Sequence, residues 1–313
     1  MKTYAIGVDI GGTTVKTGIF ERSGKLVDHW EIPTRTENNG VNILPDISDA
    51  MMKRLTLFHI NRNDIEGLGI GVPGPVDSEG TVLGCVNLGW DRFNIEKAMS
   101  SLTGFRVKAG NDANIAALGE YWKGGGNGFS DMIMVTLGTG IGGGVIINGH
   151  IINGFHGAAG EIGHVHVNDN ETEPCGCGNK GCIEQYASAT GVVRVAKRWL
   201  EAHGYEETEL TRISNLSSKD IFDQAKAGDE AALSIVNEMG RLLGKTLAGI
   251  ACVVAPQAFV IGGGMSKAGD ILIEVIEKHF REYAFHAHKD IQFRLAELGN
   301  LAGIYGAAKI ILE

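Results

Sequence analysis

The stretch Tyr4-Ala5-Ile6-Gly7-Val8-Asp9-Ile10-Gly11-Gly12-Thr13-Thr14 joins an apolar run to a glycine turn. The run predicts a buried strand over Tyr4–Asp9, and the glycine pair predicts a tight turn after it. Val15–Phe20 and Leu26–Ile32 have the same apolar character, with only short turns between them. Three consecutive strands with short connections indicate an antiparallel meander.

The same unit of strand, glycine turn and strand recurs at Thr136–Gly144. Met132–Leu137 is the predicted first strand and Gly142–Ile147 the second. This weak internal repeat indicates two halves of similar build. Residues 138–143 also match the pattern G-x-G-x-x-G, but a dinucleotide-binding fold requires a helix next, whereas residues 144–149 have the character of a strand and a turn.

Length and pattern predict a two-domain α/β protein. We expect a small N-terminal α/β domain of residues 1–110 plus 301–313, to which a closing helix at Leu301–Ile311 returns, and a larger C-terminal α/β domain of residues 111–300. Further helices are predicted at Ile43–Ile60, Ala113–Trp122, Thr190–Ala202, Lys219–Ala227, Asp229–Val254 and Ile271–Tyr283, and further strands at Leu68–Val72, Phe105–Ala109, Ala258–Ile261 and Ile291–Leu295.

Composition argues against several classes of partner. The net charge of −9 disfavours nucleic acid and anionic membranes. No apolar run approaches the ~20 residues that span a bilayer, and the first strand is too short and too quickly acidic for a signal peptide. Three of the five cysteines are clustered. Such clustering favours a metal site in a reducing compartment over disulfides, so we expect a cytoplasmic protein.

His164 is followed by Cys175, Cys177 and Cys182. These four residues are the number that a closed, structural tetrahedral zinc site requires. His166 competes with His164 as the histidine ligand, and His156 is a more distant candidate. If one nitrogen of His164 binds zinc, the other is free to donate a hydrogen bond to a ligand hydroxyl. The metal would also fix two nearby carboxylates, those of Glu161 and Glu184.

Three glycine-rich segments and one aspartate are candidates for phosphate chemistry. Asp9–Thr14 and Gly138–Gly143 could bring backbone amides close to an anion, and Asp9 could hold magnesium through water. Gly262–Gly264 leaves room for a flat ring or a phosphate. Bare hairpins and close strand–helix packing are the simpler interpretations of these segments. Asp112 could accept a proton from a hydroxyl or act only as a helix cap.

Together these segments resemble the ROK family of repressors and sugar kinases, within the two-domain actin-like ATPase (ribonuclease H-like) fold. The resemblance covers almost the whole chain. It is carried by Ile6–Thr13, by Gly110-Asn111-Asp112-Ala113-Asn114, by Leu137–Gly144, by Gly160-Glu161-Ile162-Gly163-His164 and by Cys175–Glu184.

The resemblance implies ATP-dependent phosphorylation of the 6-hydroxyl of a hexose, with glucose the expected substrate and Asp112 the catalytic base. It places the sugar on Asn111, Glu161, His164 and Glu184, and the zinc on His164, Cys175, Cys177 and Cys182. It places ATP and Mg²⁺ against Asp9, Gly11, Gly12, Thr13, Thr14, Gly138, Thr139, Gly140, Gly142, Gly143, Gly263 and Gly264.

Several alternatives stay open at this point. Family repressors carry an N-terminal DNA-binding region, whereas this sequence starts directly at the first strand, which favours a kinase. A kinase for mannose, fructose or N-acetylmannosamine would keep every motif, and so would a phosphoryl donor such as polyphosphate. A sensor without catalysis would lack the base. The resemblance implies a homodimer or homotetramer.

Overall fold

The computed structural model describes residues 2–203 and 208–313. The strands are β1 (Tyr4–Ile10), β2 (Thr14–Glu21), β3 (Leu26–Pro33), β4 (Ile65–Val72), β5 (Thr81–Val82), β6 (Phe93–Asn94), β7 (Val107–Asn111), β8 (Met132–Leu137), β9 (Ile141–Ile147), β10 (His150–Ile151), β11 (Ala258–Gly262) and β12 (Gln292–Leu295). The helices are α1 (Glu37–Gly40), α2 (Ile43–Leu57), α3 (Ile95–Thr103), α4 (Asp112–Lys123), α5 (Glu184–Ala187), α6 (Ala189–Ala202), α7 (Ser218–Ala227), α8 (Glu230–Val254), α9 (Asp270–Tyr283) and α10 (Ala302–Leu312).

The first sheet has the order β3-β2-β1-β4-β7. β1, β2 and β3 pair antiparallel, which confirms the predicted meander. β4 is parallel to both β1 and β7, so the carboxyl ends of these three strands lie at one edge of the sheet. The central strands β1 and β4 are buried along most of their length, as their continuous apolar runs require.

Helix α10 packs on this sheet and on α4 with almost no side chain between the backbones. A Cβ atom built on Gly7 would lie 2.0 Å from the carbonyl oxygen of Ile304, and one on Gly69 would lie 1.6 Å from that of Ala307. On the α4 side, a Cβ on Gly119 would lie 2.1 Å from the Ala302 oxygen. Only glycine permits such an approach. The predicted return of the closing helix to the N-terminal strands is thereby confirmed.

The second sheet has the order β10-β9-β8-β11-β12, in which β11 is parallel to β8 and to β12. It repeats the order of the first sheet, so the internal repeat predicted from the glycine turns is present in the topology. Beside it, the rings of Phe259, Phe280 and Phe293 pack with centroids 5.1 to 5.6 Å apart. These aromatic contacts build the core between β11, β12 and α9.

The described chain divides into two compact units. The first consists of residues 1–128, 144–160 and 298–313, and the second of residues 129–143 and 161–297. Helix α4 belongs to the first unit because it packs on α10. The expected boundary at residue 110 stays a prediction of domain organisation.

Six of the strands and helices given above were absent from the sequence-based prediction: helix α3, the four-residue helices α1 and α5, and the two-residue strands β5, β6 and β10. Helix α3 begins at a clear cap, since the Asn94 side chain accepts a hydrogen bond from the Lys97 amide at 2.8 Å, and it ends at Gly104 in a left-handed conformation. The short strands have no period to detect. In the described ranges, no helix combines the length and the apolar character needed to cross a bilayer.

Candidate active site

Asp9 lies near the carboxyl end of β1 in the first unit. In the sheet, Asp9 is paired with Gly71 of β4, and Gly71 is paired with Gly110 of β7. Neither of these glycines carries a side chain. Burial raises the pKa of the Asp9 carboxyl to about 6, while Lys16 opposes the shift and Asp112 adds to it. A Cβ on Gly303 would lie 2.5 Å from Asp9 Oδ2, so the start of α10 leaves room for this carboxyl only because it has glycine there.

The turn that follows Asp9 is held by its own backbone. The Gly11 amide donates to the Thr14 oxygen at 3.0 Å, and the Thr34 hydroxyl donates to the Gly11 oxygen at 2.7 Å. Gly12 and Thr13 are exposed. Among the described residues, no atom comes within 4 Å of a Cβ placed on Gly12. The turn therefore presents open backbone, as an anion-binding turn needs.

Asn111 and Asp112 join β7 to α4 in the same unit. The Asn111 side chain is the helix cap: its oxygen accepts from the amides of Ala113 at 3.0 Å and Asn114 at 3.2 Å. Its Nδ2 donates to the Gly74 oxygen at 3.2 Å. Asp112 is the first residue of the helix, so of the two residues that could have capped it, Asn111 and Asp112, the cap is Asn111. Asn111 keeps one amide hydrogen for a ligand.

The second glycine turn, Gly138–Gly143, lies in the second unit and is supported by the start of α6. The Ala189 amide donates to the Gly138 oxygen at 2.8 Å, and the Thr190 hydroxyl donates to the Thr139 oxygen at 2.7 Å. Within the turn, the Gly142 amide donates to the hydroxyl of Thr136 at 3.2 Å. A strand, β9, follows the turn, as predicted, and not a helix.

Gly262–Gly264 connects β11 to a short 3₁₀ helix that precedes α9. Gly263 has a φ of 83°, and a Cβ on it would lie 2.5 Å from the Leu137 oxygen. At Gly263 close backbone packing therefore requires the glycine. Gly264 differs, since a Cβ there would meet no described atom within 4 Å. This leaves Gly264 as the glycine of the three with open space beside it.

The ligand atoms of His164, Cys175, Cys177 and Cys182 all lie within 4.8 Å of one another. The Sγ atoms of Cys177 and Cys182 are 3.7 Å apart, and Cys175 Sγ is 3.8 Å from His164 Nδ1. Zinc–sulfur bonds of about 2.3 Å in a tetrahedron give a sulfur–sulfur separation of about 3.8 Å, so the donor set fits zinc. Burial raises the pKa of the Cys182 thiol to about 12, and a cation would be needed to hold it as a thiolate.

The competing histidines do not join this cluster. His166 has its Nδ1 2.9 Å from the Lys180 oxygen and its Nε2 2.9 Å from an Asp169 carboxylate oxygen, so both ring nitrogens are engaged. His156 is not part of the group of described residues whose ligand atoms lie within 4.8 Å of one another. His164 is therefore the histidine that the geometry favours, with Nδ1 toward the cysteines.

The two predicted carboxylates flank the cluster. Glu161 Oε2 lies 3.8 Å from His164 Nε2, the nitrogen turned away from Cys175. Glu184 Oε1 lies 3.6 Å from Cys175 Sγ, while its Oε2 accepts the Ile141 amide at 2.8 Å. Glu184 thereby links the zinc loop, defined as residues 164–182 from His164 to Cys182, to the second glycine turn. The structure brings Glu161, His164 and Glu184 together in the second unit, and Asp9, Asn111 and Asp112 belong to the first.

Sequence reasoning missed two features around these residues. Gly303, which makes room for Asp9, carries no signal in a sequence with 46 glycines. Glu171, which is buried in the zinc loop among Arg194 and Arg198, was also missed. The spacing of the two arginines by four positions on a predicted helix is the one signal that could have suggested a carboxylate partner.

A model described as the ROK family matches residues 5–313. The chain belongs to the ROK family. It is 43% identical over 314 residues to a glucokinase of Halalkalibacterium halodurans, which covers 99% of this chain and 95% of the relative. It is 34% identical to a glucokinase of Streptomyces coelicolor, with 98% and 97% covered. A crystal structure of a ROK family glucokinase from Streptomyces griseus in complex with glucose and AMPPNP is 35% identical, with 98% of each chain covered and a TM-score of 0.76.

These matches confirm the expected fold class, a mixed α/β ROK sugar kinase fold. They extend over the meander, the repeated glycine turns and the zinc loop alike, since coverage is nearly complete in both directions. The roles of single residues in this chain stay predictions.

Proposed function

We propose that this chain is an ATP-dependent glucokinase, which transfers the γ-phosphoryl group of ATP to the 6-hydroxyl of glucose. The observation that carries the proposal is likeness over almost the full length to glucokinases, one of which was crystallised with glucose and the ATP analogue AMPPNP. The presence of an aspartate at position 112, where a sensor would need none, also supports catalysis.

In the proposed reaction, a carboxylate oxygen of Asp112 accepts the proton of the 6-hydroxyl as that oxygen forms a bond to the γ-phosphorus. The bond from the γ-phosphorus to the bridging oxygen breaks, and its electron pair leaves with ADP. Because Asn111 supplies the helix cap, Asp112 can take this role without loss of the helix start.

The sugar hydroxyls would be held by side chains that the zinc loop orients. We propose Glu161, His164 and Glu184 as these ligands, together with the remaining amide hydrogen of Asn111. Carboxylates bind adjacent hydroxyls well because each offers two acceptor oxygens. His164 would donate through Nε2, the nitrogen that faces Glu161 and away from Cys175.

The nucleotide phosphates would be bound by the two glycine turns, the first of which has open backbone at Gly12, and the open space at Gly264 would lie near the adenosine. Asp9 is the residue that would hold Mg²⁺, since its carboxyl is flanked by Gly71 on the sheet and by Gly303 on α10. When bound, Mg²⁺ neutralises part of the phosphate charge. Zinc on His164 and the three cysteines would be structural, because the four protein ligands leave no open position.

A coupled assay of ADP release tests the proposal, with glucose, mannose, fructose, N-acetylglucosamine and N-acetylmannosamine as acceptors. We expect the highest kcat/KM on glucose. Stronger turnover on another sugar would keep the class of reaction and replace the substrate. Absence of turnover on every sugar, in protein that holds zinc, would refute the proposal and favour a sensor. A cytoplasmic location and a homodimer or homotetramer stay predictions, and sedimentation of the same preparation tests the second.

A further inference from the structure

Glu171 is the most buried carboxylate of the zinc loop, with a side chain only 1% exposed. It lies between His164 and Cys175 in sequence, near the middle of a segment that contains no metal ligand. Its Oε1 accepts the backbone amides of Thr172 and Glu173 at 2.9 Å each. Its Oε2 accepts the Tyr186 hydroxyl at 2.6 Å. These hydrogen bonds of the carboxylate fix the loop conformation and tie it to α5.

Two arginines of α6 neutralise the carboxylate. Arg198 donates from Nη1 to Oε2 at 2.9 Å and from Nη2 to Oε1 at 3.1 Å, a two-pronged geometry. Arg194 Nη2 lies 2.6 Å from Oε2. The hydrogen bonds from Arg198 hold the pKa of Glu171 well below its usual range, and burial only partly opposes them. The carboxylate is therefore ionised at physiological pH, and its ion pairs with Arg194 and Arg198 fasten the loop to α6 without using a metal ligand.

Helix α6 also supports the second glycine turn, through the bonds from Ala189 and Thr190 to the turn oxygens. One rigid helix consequently carries both the zinc loop and the glycine turn. Zinc itself would fix only the positions of its ligands. Within residues 165–174, backbone hydrogen bonds hold the first part, where the Ile183 amide donates to the Val165 oxygen at 2.8 Å and the Val167 amide donates to the Gly181 oxygen at 2.7 Å. The Glu171 contacts restrain that segment from its middle.

We propose that Glu171 is a positioning residue for sugar binding. Paired with Arg194 and Arg198, it holds the zinc loop on α6 so that His164 and Glu184 keep the orientation that hydroxyl groups require. The inference rests on the proposed function, since it assigns the sugar to this loop. Zinc and Glu171 then act as two independent restraints on one set of ligands.

The test compares Glu171→Gln with the matched control Glu173→Gln. Glu173 contacts the same arginines, at 3.1 Å from Arg194 and 3.2 Å from Arg198, but its side chain is 62% exposed. Both variants remove one negative charge and keep the side-chain length. For Glu171→Gln we expect the KM for glucose to rise by about tenfold, with kcat within about threefold and one zinc retained per chain. For Glu173→Gln we expect every parameter within about twofold of wild type, as for exposed ion pairs.

A wild-type KM in folded, zinc-loaded Glu171→Gln would overturn the proposal, even if the variant melted at a lower temperature. If Glu171→Gln does not fold, Arg198→Lys keeps the charge but loses the two-pronged bond, and the same rise in KM without loss of kcat is expected. Hydrogen exchange of residues 165–174 separates this inference from the proposed function. If Glu171 holds the loop on α6, residues 165–174 must exchange faster in Glu171→Gln than in Glu173→Gln, whatever sugar the wild type phosphorylates. Equal exchange in the two variants would refute the proposed role of Glu171.

Discussion

Replacement of Asp112 by asparagine separates catalysis from folding at one position. The change removes a negative charge but keeps the shape of the side chain and an oxygen that can accept the Ala113 amide, which Asp112 Oδ1 accepts at 2.8 Å. The helix cap survives, because it is provided by Asn111. The structural loss is the favourable interaction of a carboxylate with the first turn of α4, about 0.3 to 1 kcal/mol. Burial is the main cause of the raised pKa of Asp9, and removal of the Asp112 charge relieves only the smaller repulsive contribution to it.

The free energy of unfolding should therefore fall by less than about 1 kcal/mol, whereas loss of a general base should lower kcat by about 10² to 10⁴. The coupled ADP assay measures kcat, titration calorimetry measures glucose affinity, and thermal unfolding measures stability. Glucose affinity should stay within about tenfold of wild type. A folded variant that keeps most of its kcat would refute the assignment of Asp112 as the base.

A control variant, Asn94→Ala, should lose stability and keep its kcat, the reverse of what is expected for Asp112→Asn. Asn94→Ala removes the cap of α3, where the side-chain oxygen accepts the Lys97 amide at 2.8 Å. It should cost about 1 kcal/mol of stability and leave kcat per folded molecule unchanged. If this variant lost kcat as severely as Asp112→Asn, the assay would be reporting stability and not chemistry.

Three further predictions concern metal, pH and packing. Cys177→Ser should lose zinc, measured by metal analysis, and with it glucose affinity; full activity without zinc would contradict the structural role. Asp9 has a pKa raised to about 6, so kcat/KM for MgATP should fall below about pH 6 as the carboxyl takes up a proton. A flat pH profile of kcat/KM for MgATP would argue against Asp9 as a metal ligand. The contribution of Asp9 to the free energy of unfolding changes with pH in the opposite direction. That contribution is fully present below the unfolded pKa of about 3.9 and is lost as pH rises through about 6. On α8, Gly244→Ala places a Cβ 2.7 Å from the Ile276 oxygen and should destabilise, whereas Gly249→Ala meets no described atom within 4 Å and should stabilise by up to about 1 kcal/mol in thermal unfolding.

Local patterns were sufficient to predict most of the fold. Strand β8 has the predicted bounds, because its apolar run defines the strand and the glycine that follows marks its end. Helix α3 was missed although Asn94 and Gly104 mark its two ends, because its nine residues bury only Ile95, Met99 and Thr103 and so give a weak apolar periodicity. The short strands β5, β6 and β10 exist because of neighbouring chain and not because of their own residues.

In the candidate site too, some features could be predicted from local sequence, whereas others depend on the folded structure. The zinc ligands lie within one short segment, so their spacing by itself indicates a metal site. The pairing of Glu171 with Arg198 spans 27 positions, and the sequence offers many other acid–base pairs at such distances. The raised pKa of Asp9 depends on burial, which only the assembled unit creates. That Asn111, and not Asp112, caps α4 depends on the backbone angles at the end of β7.

The position of α10 has a consequence for synthesis of the chain. The β1 strand leaves the ribosome early, but the helix that covers it and borders Asp9 through Gly303 is made only after the whole second unit. The glycines at positions 7 and 69 form a bare groove until α10 arrives. The second unit, bounded by residues 129 and 297, can therefore complete its core before α10, the last helix of the first unit, has been synthesised. Translation thus imposes an order of maturation in which the zinc loop can assemble before the environment of Asp9 is finished.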